Sequence, residues 1–422
     1  MVFATEKLKG GAGLAVAEMP QVESASVGLW LAVGGRHETA PTNGVSHFLE
    51  HMLFKGTPNR SAREISEAVE GVGGYLNAFT AEEMTCYFAK ASVRYLPRLL
   101  DVLMDMFMRA TFPADEVARE RGVIIEEIHM YEDQPQQVAQ EALNALMWPR
   151  HPLGFSLSGT VANMEKMKRA HLVRHRDRYY HAGNLWICVA GKTSLEEVRG
   201  LLEPHLRQLR SGRPARASSA NGSQSASRLR VVNKPIEQSH FALGLRGVSR
   251  HDPRRFAVRL LSVILGENMS SRLWQIVREK HGLAYSVGSS VTYFRDTGAL
   301  SISAGVENNK LTKAVALTLR ELRKMARKGP TDKELHQAKE YMLGQMHLSL
   351  ESTTNQMMWM GENVIGYGRV IDPAKVALEI DRVTAREIRA VARDLVADHR
   401  LNLAVVSPKA KASDLIGLLT FK

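Results

Sequence analysis

The sequence predicts an α+β fold made of two homologous domains, each a mostly antiparallel sheet with helices packed on one face. Three observations carry this expectation. A stretch from Ser211 to Arg228, dominated by Ser, Ala, Gly and Arg, has no hydrophobic periodicity and reads as a flexible linker near the midpoint. The segments on its two sides echo one another. Within each half, apolar strands alternate with long amphipathic helices. The expected division is therefore residues 1–210, a linker over 211–228, and a second domain over 229–422.

In chain order, Ala25–Val33, Tyr75–Ala89 and Leu185–Ala190 read as strands of the first half. The segment Leu76–Phe88 is long for one strand and is expected to bend or divide around Ala81–Glu83. Three echoes connect the halves. Phe112–Met130 matches Gly329–Leu348 with one residue inserted, and both open on Pro-x-Asp, which puts Asp115 and Asp332 near a helix start. Ser61–Phe88 matches Ser271–Tyr293 as helix, glycine and strand, and Leu185–Ala190 matches Leu401–Val406. A repeat of this period indicates a duplicated domain, since solenoid units are about 20–50 residues.

Composition narrows the function classes. With 422 residues, 44% hydrophobic and 24% charged, the chain has the balance of a globular protein, which excludes disordered, collagenous and disulfide-scaffold classes. The formal charge is +12, but acids are interspersed among the bases and no basic cluster with aromatics occurs, so no nucleic-acid partner is expected. The two cysteines, Cys86 and Cys188, sit in apolar runs and read as reduced core thiols. The most apolar long run, Val93–Met108, is broken by Arg94, Arg98, Asp101 and Asp105, so no membrane span is expected. The first twenty residues lack the pattern of a signal or transit peptide, which gives a cytoplasmic location as the expectation.

The most informative segment is His47-Phe48-Leu49-Glu50-His51. Thr42, Asn43 and Gly44 provide a cap, and a helix is expected from Val45 to Phe54. At 3.6 residues per turn, positions 47, 50 and 51 share one face, while Phe48, Leu49, Met52 and Leu53 cover the other. Two imidazoles four apart can meet one metal ion, with a carboxylate beside it, in the inverse order of H-E-x-x-H. The pattern arises by chance only about a few times in a hundred chains of this size.

A catalytic zinc site needs a third protein ligand and an open position. The candidates lie on the helix holding Glu120, Glu126 and Glu127, where Glu120 and Glu127 are two turns apart on one face. In the second half Glu127 aligns with Gln345, and nothing like His47–His51 occurs near Arg259–Leu265, so that copy lacks the whole set. Spacing alone leaves Glu126 and Glu127 equal candidates.

HFLEHMLFKGT, the downstream Glu-Glu-Ile helix and the duplicated layout resemble the pitrilysin/insulinase zinc metallopeptidases, in particular the half-length group related to mitochondrial processing peptidase. The resemblance covers nearly the whole chain, and the inverted motif with a glutamate 76 residues beyond the second histidine is specific to it. It implies a peptidase with one Zn2+ per chain, held by His47, His51 and Glu127, with Glu50 as general base. It makes Glu120 the extra acidic residue beside the site.

The resemblance also implies how substrate is handled. Tyr75–Thr80, after Gly73-Gly74, matches the substrate-edge strand, where Asn77, Ala78 and Phe79 would bind an extended peptide by β-augmentation. Alone, Asn77 reads as a turn-proximal residue, Arg278 as a cation at a helix C-terminus and Tyr285 as a half-buried strand residue. The spacing from Arg278 to Tyr285 nevertheless matches the family's arginine/tyrosine pair, two donors suited to a developing oxyanion. Full-length relatives carry four such domains, so the resemblance implies that a two-domain chain forms a homodimer, with Arg278 and Tyr285 of one subunit serving the zinc of the other. Two further family outcomes are a catalytically silent core subunit, typically with a damaged zinc motif, and one subunit of a heterodimeric processing peptidase. The substrates implied are oligopeptides or unfolded, presequence-like segments.

Overall fold

The computed structural model describes residues 3–8, 10–220 and 223–421. It forms two compact units, each discontinuous in sequence: Met1–Ile128, Phe155–Ser218 and His347–Asp372 make the first, and His129–Gly154, Ser219–Met346 and Pro373–Lys422 the second.

The first unit is organised on a six-stranded sheet of β1 (Phe3–Lys7), β2 (Gly13–Glu18), β3 (Ser24–Leu31), β4 (Tyr75–Thr80), β5 (Thr85–Ser92) and β6 (Leu185–Gly191). Its order is β1-β2-β6-β3-β5-β4, antiparallel except where β2 runs parallel to β6. The second unit has β7 (Arg228–Asn233), β8 (Gln238–Gly247), β9 (Ala284–Tyr293), β10 (Gly298–Glu307) and β11 (Leu401–Ser407) in the order β7-β11-β8-β10-β9. Here too one pair, β7 with β11, is parallel. Without β1 the two sheets have the same strand order and directions, with β6 and β11 each second from the edge, in keeping with their sequence echo. The long Leu76–Phe88 segment is a hairpin, closed at Ala81 N–H to the Met84 carbonyl at 2.8 Å.

Period-two alternation sorts the side chains of the first sheet. Leu14, Val16, Val27, Leu29, Ile187 and Val189 face a core shared with the helices Val45–Leu53 and Leu96–Arg109. Ala15, Ala17, Trp30, Cys86, Cys188 and Ala190 point the other way, onto Met357, Met360 and Val364 of the helix Thr353–Tyr367. That helix comes from the C-terminal half of the sequence. Reciprocally, Ala242, Ala404 and Val406 of the second sheet pack on Ala139, Leu143 and Met147 of the helix Pro135–Met147, from the N-terminal half. The halves thus each give up one helix, and the compact units do not follow the linear division at 211–228. A sheet with one helical layer leaves its other face open, and the exchanged helix covers it.

The Ser211–Arg228 stretch has no regular structure before β7 but is held along its described part. Ala215 N–H donates to Asn184 Oδ1 at 2.7 Å, and the buried Arg36 donates through Nη2 to the Ser218 carbonyl at 2.7 Å. Composition reads it as a flexible linker; these two contacts, which composition does not encode, tie Ala215 and Ser218 to the first unit. Both cysteines are buried and unbridged, and burial pushes both thiols up. Among the described residues no helix is long and apolar enough to cross a membrane.

Candidate metal centre

The centre is built on the helix Val45–Leu53 of the first unit. Phe48, Leu49, Met52 and Leu53 are buried, so the opposite face carries His47, Glu50 and His51. The helix starts at Gly44, whose φ of 91° is a left-handed conformation that suits glycine. At this start the Glu38 carboxylate accepts from Gly44 N–H and Ser46 N–H, both at 2.8 Å, and from Asn43 Nδ2 at 3.1 Å. Burial pushes the Glu38 carboxyl pKa up, and these donors oppose that shift. Gly44 stands at the expected cap, but no side chain of Thr42–Gly44 caps the helix; the acceptor is Glu38, further upstream, for which no local sequence signal exists.

Beyond the helix, the turn through Thr57, Asn59 and Arg60 is tied to one buried carboxylate. Asp105 accepts from Thr57 Oγ1 and Asn59 Nδ2, both at 2.7 Å, and from Arg60 Nη1 and Arg109 Nη1, both at 3.0 Å. Burial opposes its ionisation, but the four donors outweigh burial and hold its carboxyl below the usual range. The signal for Asp105 was visible as an acid interrupting the apolar run Val93–Met108.

The helix Ala114–Glu132 brings the third donor. Glu127 Oε2 lies 3.6 Å from both His47 Nε2 and His51 Nε2, and one ligand atom from each of the three residues falls within 4.8 Å of the others. Glu126, equal to Glu127 by spacing, is exposed on another face. Glu120, two turns earlier, is buried behind His51: its Oε2 is 3.1 Å from His51 Nδ1, and its Oε1 is 2.5 Å from Lys55 Nζ. The acceptor on Nδ1 leaves His51 Nε2 to face the cluster. His47 Nδ1 is buried without a hydrogen-bond partner. Burial lowers the His47 pKa to about 4, with His51 adding to the shift and Glu127 opposing it, so the imidazole is neutral, as a ligand must be. Two imidazoles and one carboxylate at this separation are a donor set that fits Zn2+.

Glu50 stands one position before His51 and accepts from Thr80 Oγ1 at 2.5 Å. Burial raises its pKa, while the Thr80 hydrogen bond and His51 lower it. Thr80 ends β4, the edge strand of the first sheet, so one strand both buttresses Glu50 and offers an unpaired edge. On that strand Asn77 is exposed and its Oδ1 accepts from the next backbone N–H, of Ala78, at 2.8 Å. Ala78 is half-buried, and Phe79 packs edge-on against Trp30 and Phe88.

Arg278 and Tyr285 belong to the second unit and lie together there. Arg278 sits in a π-helix, Trp274–Lys280, with its guanidinium carbon 4.1 Å from the Trp274 ring centroid and 5.1 Å from that of Tyr285. Tyr285 is 81% exposed rather than half-buried, since its strand, β9, is the edge of its sheet.

Comparison with known proteins gives this geometry a family. Residues 14–161 match Insulinase (Peptidase family M16), and residues 166–342 match Peptidase M16 inactive domain. The chain belongs to the M16 family. An uncharacterized zinc protease of Mycobacterium tuberculosis is 37% identical to this M16 chain, over 97% of it and 94% of the relative. The uncharacterized zinc protease YmxG of Bacillus subtilis is 36% identical over 95% of this chain and 97% of its own. Among solved structures, a protease from Helicobacter pylori covers 96% of this chain and 99% of its own with a TM-score of 0.90. At 22% identity that likeness establishes the shared fold.

Proposed function

We propose that this M16 chain is a zinc-dependent endopeptidase that hydrolyses internal bonds of oligopeptides or unfolded, presequence-like segments. The observation that carries the reading is the convergence of His47, His51 and Glu127, with Glu50 on the same helix face. His47, His51 and Glu127 would hold the ion. When bound, zinc brings the pKa of a coordinated water toward about 7 and polarises a peptide carbonyl. Glu50 takes the proton from the attacking water and delivers it to the leaving amine. Glu120 holds His51 in the tautomer that presents Nε2.

The free edge of β4 receives an extended peptide backbone, which gives affinity with little sequence preference. Asn77 serves that backbone once its side chain leaves the Ala78 amide. Arg278 and Tyr285 donate to the developing oxyanion from a second copy of the chain, and the exposure of Tyr285 supports that role. The reading is tested by metal analysis together with cleavage of a quenched-fluorescent peptide library. Stoichiometric zinc is expected, with activity abolished by a chelator and restored by zinc. A protein that binds no zinc, or cleaves equally well with the metal stripped, contradicts it.

A further inference from the structure

The second unit contains a basic hollow that shares no residue with the metal centre. The helices Leu311–Lys328 and Ala385–Leu395 each carry two arginines four residues apart, Arg323 with Arg327 and Arg389 with Arg393, a spacing that puts each pair on one helix face. All four line one depression of about 440 Å³, completed by Ala326, Val396 and Phe421. We propose that this depression is an anion site that binds a phosphate chain, as found in an inorganic polyphosphate or a nucleoside triphosphate.

Among the described residues, these charges are not taken up by acids: no ion pair joins Arg323, Arg327, Arg389 or Arg393 to a carboxylate. Nearby carboxylates are occupied: Asp398 accepts from Phe421 N–H at 2.6 Å and Thr420 Oγ1 at 3.1 Å, and Asp394 pairs with Arg254 and Arg400. Arg323 donates through Nη2 to the Thr420 carbonyl at 2.6 Å, while its Nε is buried with no partner. A helix macrodipole accounts for a cation in the last turn, which covers Arg327 and Arg393. It does not reach Arg323 or Arg389, which stand further back and complete the hollow.

Four guanidinium groups around one depression repel one another, and a multiply charged anion removes that repulsion. Each guanidinium presents a planar fork that matches two phosphate oxygens. A lone carboxylate has too few lone pairs to engage four forks, whereas linked phosphoryl groups have enough.

The site stands independently of the peptidase reading and is tested on the full-length zinc-loaded chain by calorimetric titration with tripolyphosphate, ATP, AMP and inorganic phosphate. The pocket variant is R327Q/R389Q/R393Q, all three being exposed positions. The charge-matched control is R63Q/R119Q/R207Q, on exposed arginines elsewhere. Tripolyphosphate is expected to bind at least tenfold more tightly than phosphate, with at least a tenfold loss in the pocket variant and none in the control. Zinc content is measured after each titration, because polyphosphates chelate. Equal affinity for ATP and tripolyphosphate assigns the phosphate chain alone, and tenfold tighter ATP assigns a nucleotide. Equal weakening in both triple variants, or none in the pocket variant, overturns the site and leaves only the field of the net charge.

Discussion

Glu120 Oε2 and His51 Nδ1 are 3.1 Å apart, on the side of the imidazole opposite Glu127. Glu120 therefore touches His51 from behind, and its own second oxygen is held by Lys55. Replacing such a carboxylate typically weakens metal binding about 10–100-fold. Glu120→Gln keeps the shape and removes the charge, so zinc affinity measured against a chromophoric chelator is expected to fall within that range. Unchanged affinity contradicts the orienting role.

The exchanged helix Thr353–Tyr367 approaches the first sheet closely at Gly361. A Cβ on Gly361 would lie 1.8 Å from the Trp30 ring, which is itself wholly buried. Gly361→Ala is expected to destabilise the protein by about 1–3 kcal/mol, the usual cost of overpacking. Gly344, mid-helix with open space around its Cβ position, is the control: its change to Ala is expected to be neutral or stabilising by up to about 1 kcal/mol. Thermal melts of the two variants check both outcomes.

Glu334 links the start of the helix Asp332–Ser349 to Arg272, accepting from Arg272 Nε at 2.6 Å and from Thr331 N–H at 2.8 Å. Burial pulls its pKa upward, but Arg272 and Thr331 outweigh it and bring the value to about 2 from an ordinary 4.5. A pKa depressed in the folded state gives stability that is complete above about 4.5 and is lost as pH falls toward about 2. Solvent screening limits its size to about 1 kcal/mol. Glu334→Gln should thus melt below wild type at pH 7, with the gap narrowing steadily in acid. A gap independent of pH contradicts the assignment.

Completion of the site by a second copy predicts complementation. Glu50→Gln and Tyr285→Phe chains, each impaired alone, should regain activity when mixed, because one of the two sites in each mixed dimer is intact. Absence of rescue, with subunit exchange shown by differential labelling, contradicts completion in trans.

The parts of this structure legible in the sequence are those with local periodicity. Helical spacing placed His47, Glu50 and His51 on one face, and the duplicated Pro-x-Asp helices announced two copies of one sheet. Glu127 needed the family, since Glu126 fits spacing equally well and only the packing of a second helix separates them. Glu38 and Thr80 reach the ligand helix through tertiary contacts that leave no mark on nearby residues. The exchange of the helices Pro135–Met147 and Thr353–Tyr367 was hidden for a similar reason: amphipathicity says that a helix buries a face, but not which sheet receives it.

The central claim is that Glu50 performs proton transfer at a zinc centre that it does not itself hold together. The most direct test measures zinc content and peptide cleavage of Glu50→Gln side by side with wild type. Equal zinc stoichiometry with cleavage reduced by at least about 10²-fold is predicted. Near wild-type cleavage by the zinc-loaded variant would contradict the account.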